Sequence, residues 1–259
     1  MGRLDNKTAI VTGAAMGIGP GIARILAREG AAVSLFDVDD GVFTAMKQVG
    51  GAAAFKVDIR NGEAVRAAAD EVASQLGRVD ILVNNAGILR VVPFLEMTDE
   101  IRDLHLDTNL KGTWNCCQAV LPGMVKRRYG KIVNLSSVTG TQVADPGETA
   151  YGLTKAGIWG FTKALAMEFA AAHINVNMIC PGVFRTPMVE SLAQGTSPED
   201  IQATVDLMAA TIPMGRLGRP EEIGHLAAYL ASDEAEYVTG QAFFIDGGST
   251  LPETSGAVG

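Results

Sequence analysis

From residue 7 onward, short runs rich in β-branched residues alternate with longer stretches whose apolar residues recur at three- and four-residue steps. That alternation marks βαβ units, which close into a parallel sheet with helices on both faces. Strands are expected at Thr8 to Thr12, Ala32 to Asp37, Ala54 to Asp58, Asp80 to Asn84, Lys131 to Ser136, Asn175 to Ile179 and Ala242 to Ile245. Helices are expected at Ile18 to Arg28, Gly62 to Leu76, Asp99 to Arg127, Tyr151 to Ala171 and Glu221 to Leu230. Gly and Pro fall at element ends, and no linker, repeat or low-complexity block divides the chain, so residues 1–259 read as a single α/β domain with a doubly wound, mostly parallel, seven-stranded sheet. Residues 187–218 break the alternation. They hold Met188, Leu192, Val205, Leu207, Met208, Ile212 and Met214 among polar residues and read as a helical flap over the carboxyl ends of the strands. An extra helix pair packed on the core is the alternative.

A formal charge of −8 argues against nucleic acid as a partner, because binding phosphates needs clustered positive charge. Apolar residues make up 47% of the chain, enough for a large core, yet no apolar stretch approaches the ~18 residues of a membrane span. The amino-terminal stretch through Gly13 lacks a hydrophobic signal core, so a soluble, uncleaved protein is expected. Cys116, Cys117 and Cys180 have no metal or disulfide spacing, and a reducing cytoplasm is the natural compartment. His105, His173 and His225 show no zinc-ligand pattern, so no metal is expected.

The first strand runs into Thr12-Gly13-Ala14-Ala15-Met16-Gly17-Ile18-Gly19, after which Ile18, Ile22, Ile25 and Leu26 open a helix. A strand, glycine turn and helix of this kind lets the backbone approach a pyrophosphate, while the free amides and positive end of the helix attract its charge; this makes the fold Rossmann-type. The glycines stand at 13, 17 and 19 instead of the GxGxxG spacing, and a turn serving only close helix packing is the competing reading. The second strand ends at Asp37, where a dinucleotide fold places the acid that hydrogen-bonds the adenosine ribose. Asp37 favours NAD over NADP, since a 2′-phosphate would face this carboxylate and Ala14, Ala15 and Met16 supply no compensating cation. A solvated loop acid beside Asp39 and Asp40 is the plainer explanation.

Ser137 follows the fifth strand, and Tyr151 and Lys155 lie four residues apart on the next helix, hence on one face. A lysine ammonium there lowers a phenol pKa that is normally near 10, letting the tyrosine exchange a proton with an alcohol, while Ser137 donates a hydrogen bond to the same oxygen. Taken singly, Tyr151 reads as a packed aromatic, Lys155 as a surface charge and Ser137 as a cap.

Thr12-Gly13-x3-Gly17-x-Gly19, Asn84-Asn85-Ala86-Gly87, Ser137, Tyr151-x3-Lys155 and Pro181-Gly182-x3-Thr186 together resemble the ordered motifs of the short-chain dehydrogenase/reductases, in their single-domain branch. Ala144 to Tyr151 and Asp246 to Thr254 further resemble the UcpA-type oxidoreductases of that family. The resemblance implies hydride transfer between a nicotinamide and a secondary alcohol or ketone, or an aldehyde/alcohol pair. It makes Tyr151 the general acid/base, has Lys155 lower its pKa and hold the nicotinamide ribose, has Ser137 orient the substrate oxygen, and has Asn109 anchor a proton relay through water. It also assigns Gly13, Met16, Gly17, Ile18, Gly19, Asp37 and Val38 to the adenosine and pyrophosphate end, and Asp58 with Ile59 to the adenine. Asn85, Ala86 and Gly87 line the middle of the cofactor site, with Pro181, Gly182, Val183 and Thr186 at the carboxamide. A homotetramer built through the two long helices is implied as well. Fourteen residue steps separate Ser137 from Tyr151, one more than is commonest in the family, and the extra residue is expected to reshape the substrate pocket.

Substrate-facing candidates are Leu89 to Phe94, Val138 to Glu148, Phe184, Met188, Val189, Leu192 and Met208. Asp145 and Glu148 are the polar exceptions. They either bind a hydroxyl-bearing substrate, repel anionic ones, or serve a turn at Pro146-Gly147 and the start of the following helix; the last is the favoured reading. An NADP-linked carbonyl reductase and a nucleotide-binding sensor without turnover remain as alternatives to an NAD-dependent enzyme.

Overall fold

Each β-branched run becomes a strand of one sheet in the computed structural model, which describes residues 2–187, 189–190, 194 and 200–251. The strands are β1 (Thr8–Thr12), β2 (Ala32–Asp37), β3 (Ala53–Lys56), β4 (Ile81–Asn84), β5 (Gly130–Leu135), β6 (Ile174–Pro181) and β7 (Ala242–Ile245). They lie in the order β3-β2-β1-β4-β5-β6-β7, and every pairing is parallel. The strand order reverses between β1 and β4, which leaves a crevice at their carboxyl ends where ligands bind in open α/β sheets.

Side chains alternate across each strand, so the sheet feeds two cores. Ala9, Val11, Val33, Leu35, Ile81, Val83 and Val133 meet α1 (Ile18–Arg28), α2 (Gly41–Val49) and, from the far end of the chain, the helix Pro220–Ala231. Ile10, Phe36, Leu82, Ile132 and Val176 meet α3 (Gly62–Leu76), the helix Gly112–Arg127 and the helix Thr149–Phe169 on the opposite face.

The expected elements shift in informative places. Helix α2 was not anticipated, although Val42, Ala45 and Val49 are buried at helical spacing; exposed Phe43 among them blurs the stripe. The long helix expected from Asp99 to Arg127 is α4 (Asp99–His105) and α5 (Gly112–Arg127), joined by a π-turn at Leu106–Lys111 that widens the coil around Asn109. The next helix, α6 (Thr149–Phe169), starts two residues before Tyr151. Strand β3 stops at Lys56, so Asp58 belongs to the turn beyond it, whose carbonyl accepts from the Asn61 amide before Asn61 caps α3.

Within residues 187–218, helix α7 (Ile201–Ala210) forms as expected, while Met188 and Leu192 lie outside the described residues. Val205, Ile212 and Leu217, with Val189 and Met208 against them, form a cluster of their own. Phe184, expected to face a substrate, is instead buried in the first core, against Gly218.

Helix α8 (Pro220–Ala231) packs closely on α1, because Gly21 and Gly224 let the backbones meet; a Cβ on Gly21 would strike Pro220 and one on Gly224 would lie 2.8 Å from Ile25 Cγ1. This contact holds α1, whose first turn faces the crevice. Gly224→Val is expected to lower stability by about 1–3 kcal/mol through overpacking, read as a lower urea midpoint at constant m-value.

Candidate active site

The crevice between β1 and β4 is shaped by glycine. Gly13 has φ +63°, and a Cβ there would come within 2.7 Å of Ala86 Cα; a Cβ on Gly19 would collide with the Gly13 carbonyl. Only a bare backbone runs this way. Asn85 secures the turn from β4, its side-chain amide donating to the carbonyls of Thr12 (3.0 Å) and Gly13 (2.9 Å). The Thr12 hydroxyl accepts from the amides of Asn85 (3.0 Å) and Ala86 (3.1 Å). Asn85 thus acts on the shape of the cradle through its side chain.

Helix α1 begins after Gly17 (φ +70°) with no side chain capping its first amides, the arrangement that binds anions. Ile18 opens the helix, while Met16 and Val38 are exposed at the rim. The Asp37 carboxylate accepts from the Ala15 amide at 2.9 Å and the Asp39 amide at 3.0 Å, so it braces the glycine turn besides facing the rim. Asp58 is gripped by Arg60, whose Nε reaches both carboxylate oxygens at 2.9 and 3.0 Å; this pair holds the carboxyl below its ordinary range. Arg60 was not singled out from the sequence, although a cation two residues past Asp58 is visible there. The Ile59 side chain packs on Gly112, away from the crevice, and its carbonyl accepts from Asn115.

The other end of the crevice comes from β6. Pro181 ends the strand and its carbonyl accepts from the Val138 amide. A side chain on Gly182 would meet Asp246 at 2.8 Å. The Val183 carbonyl accepts from Gly218, and Thr186 Oγ1 accepts from the Val189 amide. A Cβ built on Gly17 would lie 3.9 Å from the Thr186 side chain, so the glycine turn and the β6 loop face each other. An extended dinucleotide fits this shape: a bare-backbone turn, an uncapped helix end and an acid at one extremity, with a threonine opposite.

Ser137, Tyr151 and Lys155 gather at the carboxyl end of β5. Ser137 is buried and its hydroxyl accepts from the Thr139 amide at 3.1 Å. Lys155 is 6% exposed, donates to the Leu135 carbonyl at 2.8 Å and places Nζ 5.5 Å from the Tyr151 ring centre. Burial lowers this ammonium to about 8 and raises the Tyr151 phenol to about 12, with hydrogen bonding to Ser137 pulling the phenol back down. Desolvation sets the direction of the phenol shift, and the Lys155 ammonium is directed to the Leu135 carbonyl. Cys180, buried at the end of β6, is a neighbour of Lys155 that sequence reading did not connect with the site.

Asn109 sits on the π-turn with its side chain fully engaged. Its amide donates to the Ile88 carbonyl and to Thr154 Oγ1, both at 3.0 Å, and its Oδ1 accepts from the Ile88 amide at 2.9 Å. Thr154 in turn donates to the Tyr151 carbonyl at 2.7 Å. Thr154 was missed, though its place three residues after Tyr151 puts it near the same helix face. Gly87 completes this corner: a Cβ there would lie 3.3 Å from Asn109 Oδ1 and 3.5 Å from Lys155 Nζ.

Residues 13–250 match the family model described as enoyl-(acyl carrier protein) reductase. The chain is 53% identical to oxidoreductase UcpA of Salmonella typhimurium over 98% of both chains. It is 40% identical to the 3-oxoacyl-[acyl-carrier-protein] reductase FabG of Thermotoga maritima, over 96% of this chain and 100% of that one. Among solved structures, the ligand-free aldohexose dehydrogenase of Thermoplasma acidophilum superposes with a TM-score of 0.90 at 31% identity, covering 99% of this chain and 98% of that one. The chain belongs to the short-chain dehydrogenase/reductase family of oxidoreductases.

Proposed function

We propose that this oxidoreductase is an NAD(H)-dependent enzyme that interconverts a secondary alcohol and a ketone, with Tyr151 as general acid/base. The observation that carries the reading is the gathering of buried Ser137 and Lys155 with half-buried Tyr151 beside a bare-backbone cradle. Bound NAD supplies the hydride acceptor. Gly13, Gly17, Gly19 and the first amides of α1 hold its pyrophosphate, Asp37 the adenosine ribose, Asp58 and the Ile59 backbone the adenine, and Val183 and Thr186 the carboxamide. Met16, Ile18, Val38, Asn85, Ala86, Gly87, Pro181 and Gly182 line the site between them.

Within the chain, Ser137 donates a hydrogen bond to the substrate oxygen and holds it against the phenol. Tyr151 takes the alcohol proton in oxidation and returns one in reduction. Lys155 keeps positive charge next to the phenolate and reaches the nicotinamide ribose, while Asn109 fixes the π-turn and the loop opposite so that a proton can pass on through water. One domain carries both binding and chemistry.

The outward faces of α5 and α6 expose Trp114 (52%), Leu153 (58%) and Met167 (84%), which supports assembly of a homotetramer through these helices. No helix among the described residues is long and apolar enough to cross a membrane. Three free cysteines fit a cytoplasmic location.

Turnover of a panel of secondary alcohols, diols, sugars and steroids with NAD or NADP, followed by reduced-nicotinamide absorbance, tests the reading. Tyr151→Phe is expected to lower kcat/KM by roughly 10²–10⁴-fold, with NAD affinity by calorimetry retained; near-normal turnover would reject the phenol mechanism. Asp37→Ala is expected to cut the NAD-to-NADP preference by about 10-fold or more, the loss of charge-assisted hydrogen bonds, and an unchanged ratio would reject the cofactor assignment. Light scattering is expected to give four times the chain mass, and a stable monomer would reject the tetramer.

A further inference from the structure

Glu148 lies immediately before α6, one helical turn ahead of Tyr151 and two ahead of Lys155, on the face those residues share. Sequence reasoning favoured an interaction of this acid with the helix start, but its side chain makes no capping bond there. Its carboxyl is instead half-buried, near the Thr139 hydroxyl and within electrostatic reach of the Tyr151 phenol.

The frame around it is rigid. The Glu148 amide donates to the Asp145 carbonyl at 3.3 Å, as the Pro146-Gly147 turn requires. The Val92 amide donates to the Gly147 carbonyl at 2.9 Å, and a Cβ on Gly147 would lie 2.8 Å from Val91 Cγ1, which ties the turn to the loop after β4. Gly140 packs its bare Cα against the Gly152 carbonyl, tying the Ser137–Gly140 turn to α6. The charge acting on Glu148 is that of Asp145, and among the described residues Glu148 is in no ion pair. Burial and Asp145 both raise its carboxyl above the ordinary range. A carboxylate has about four acceptor positions, which leaves room for a hydroxyl donor from a substrate.

We propose that Glu148 is a specificity-determining residue of this site, its carboxylate accepting a hydrogen bond from a hydroxyl on the carbon next to the reacting one, so that neutral vicinal diols and α-hydroxy ketones are preferred over matched mono-alcohols and over oxo acids. The inference rests on the reading of Tyr151 as the group that meets the substrate oxygen. A hydroxyl one carbon away from that oxygen falls toward the residue one helical turn away. A substrate lacking it leaves a partly desolvated carboxylate without its donor, and an anionic substrate adds repulsion from Glu148 and Asp145 together.

The test compares kcat/KM for butane-2,3-diol against butan-2-ol with NAD, and for acetoin against acetoacetate with NADH, in the full-length chain. The wild type is expected to favour the hydroxylated partner about 10-fold or more in each pair. Glu148→Met removes both charge and acceptor and is expected to bring the diol ratio near one. Glu148→Gln keeps an acceptor and is expected to retain part of the diol preference while relaxing the discrimination against acetoacetate. Loss of the negative charge beside the phenol is also expected to move the pH profile of alcohol oxidation to lower pH in Glu148→Gln, which a merely structural role would not do. The groups facing Glu148 are Asp145 on its own turn, Thr139 from the Ser137–Gly140 turn and Tyr151 from α6, with apolar Val91 and Val92 behind the turn. NAD affinity of the same preparations controls for folding. Ratios unchanged in both variants, while butan-2-ol oxidation depends on Tyr151, would overturn this inference alone. Wild-type turnover indifferent to Tyr151→Phe would remove the underlying reading, and the inference with it.

Discussion

The link between the ends of β1 and β4 is the constraint on which the rest of the site depends. The Thr12 hydroxyl accepts two amides from the residues that follow β4, and the Asn85 amide reaches back to two carbonyls of the glycine turn. Each such bond contributes about 1 kcal/mol net, yet their effect is chiefly geometric. They tie together the ends of two paired strands whose connections leave in opposite directions, and they set a turn that only glycine can follow. Asp37 adds a third brace through the Ala15 amide, so the acid proposed to choose the nucleotide also shapes the glycine turn. Loss of that side chain therefore acts on the turn as well as on recognition.

A second set of ties fixes the chemical end. Asn109 lies on a π-turn, a distortion a helix keeps only when its surroundings hold it. Here the side chain closes two bonds with the Ile88 backbone and one with Thr154, while the Asn109 carbonyl accepts from the Thr113 hydroxyl at 2.8 Å. The loop after β4, the turn inside the long helix and the start of α6 are thereby tied together. Lys155 is then desolvated between Leu135 and the Tyr151 ring, and burial brings the ammonium and the phenol to values opposed in sense: each is pushed toward its neutral form. A polar partner arriving between them would reverse that pressure, since any group that solvates the charged forms favours a phenolate beside an ammonium.

Much of this was legible in the residues because period and punctuation agree. β-branched runs bounded by Gly or Pro located all seven strands, and the four-residue step from Tyr151 to Lys155 placed both on one helix face. The π-turn was not legible, because its residues continue the apolar spacing of the helices on either side and differ from them only in how the backbone bonds close. Helix α2 escaped for a related reason: exposed Phe43 sits beside its short buried stripe. Phe184 looked like a pocket residue from its place after Pro181-Gly182, yet the bare Gly218, thirty-four positions on, opens a space that draws its ring into the core. Arg60 and Thr154 carry a converse lesson, since both stand beside residues already marked and each turns a single side chain into a pair.

The turn proposed to meet a substrate is built differently from the parts that form the glycine cradle. The cradle is assembled from strand ends, whose register is set by the ladder of parallel pairings, and its bonds run from backbone to backbone or from one buried side chain to backbone. The turn from Ser137 to Glu148 is held instead at two points, by Gly140 on α6 and by Gly147 on the loop after β4, both places where a side chain would not fit. Ser137 and Tyr151 stand fourteen residue steps apart around those points. Asp145 is spent on a turn, while Glu148 emerges beside the phenol without a cation to neutralise it. The segment around α7 packs on its own small cluster. On the proposed reading, the scaffold keeps one acid/base chemistry while Glu148, next to a turn anchored at Gly140 and Gly147, selects the neighbours of the reacting carbon.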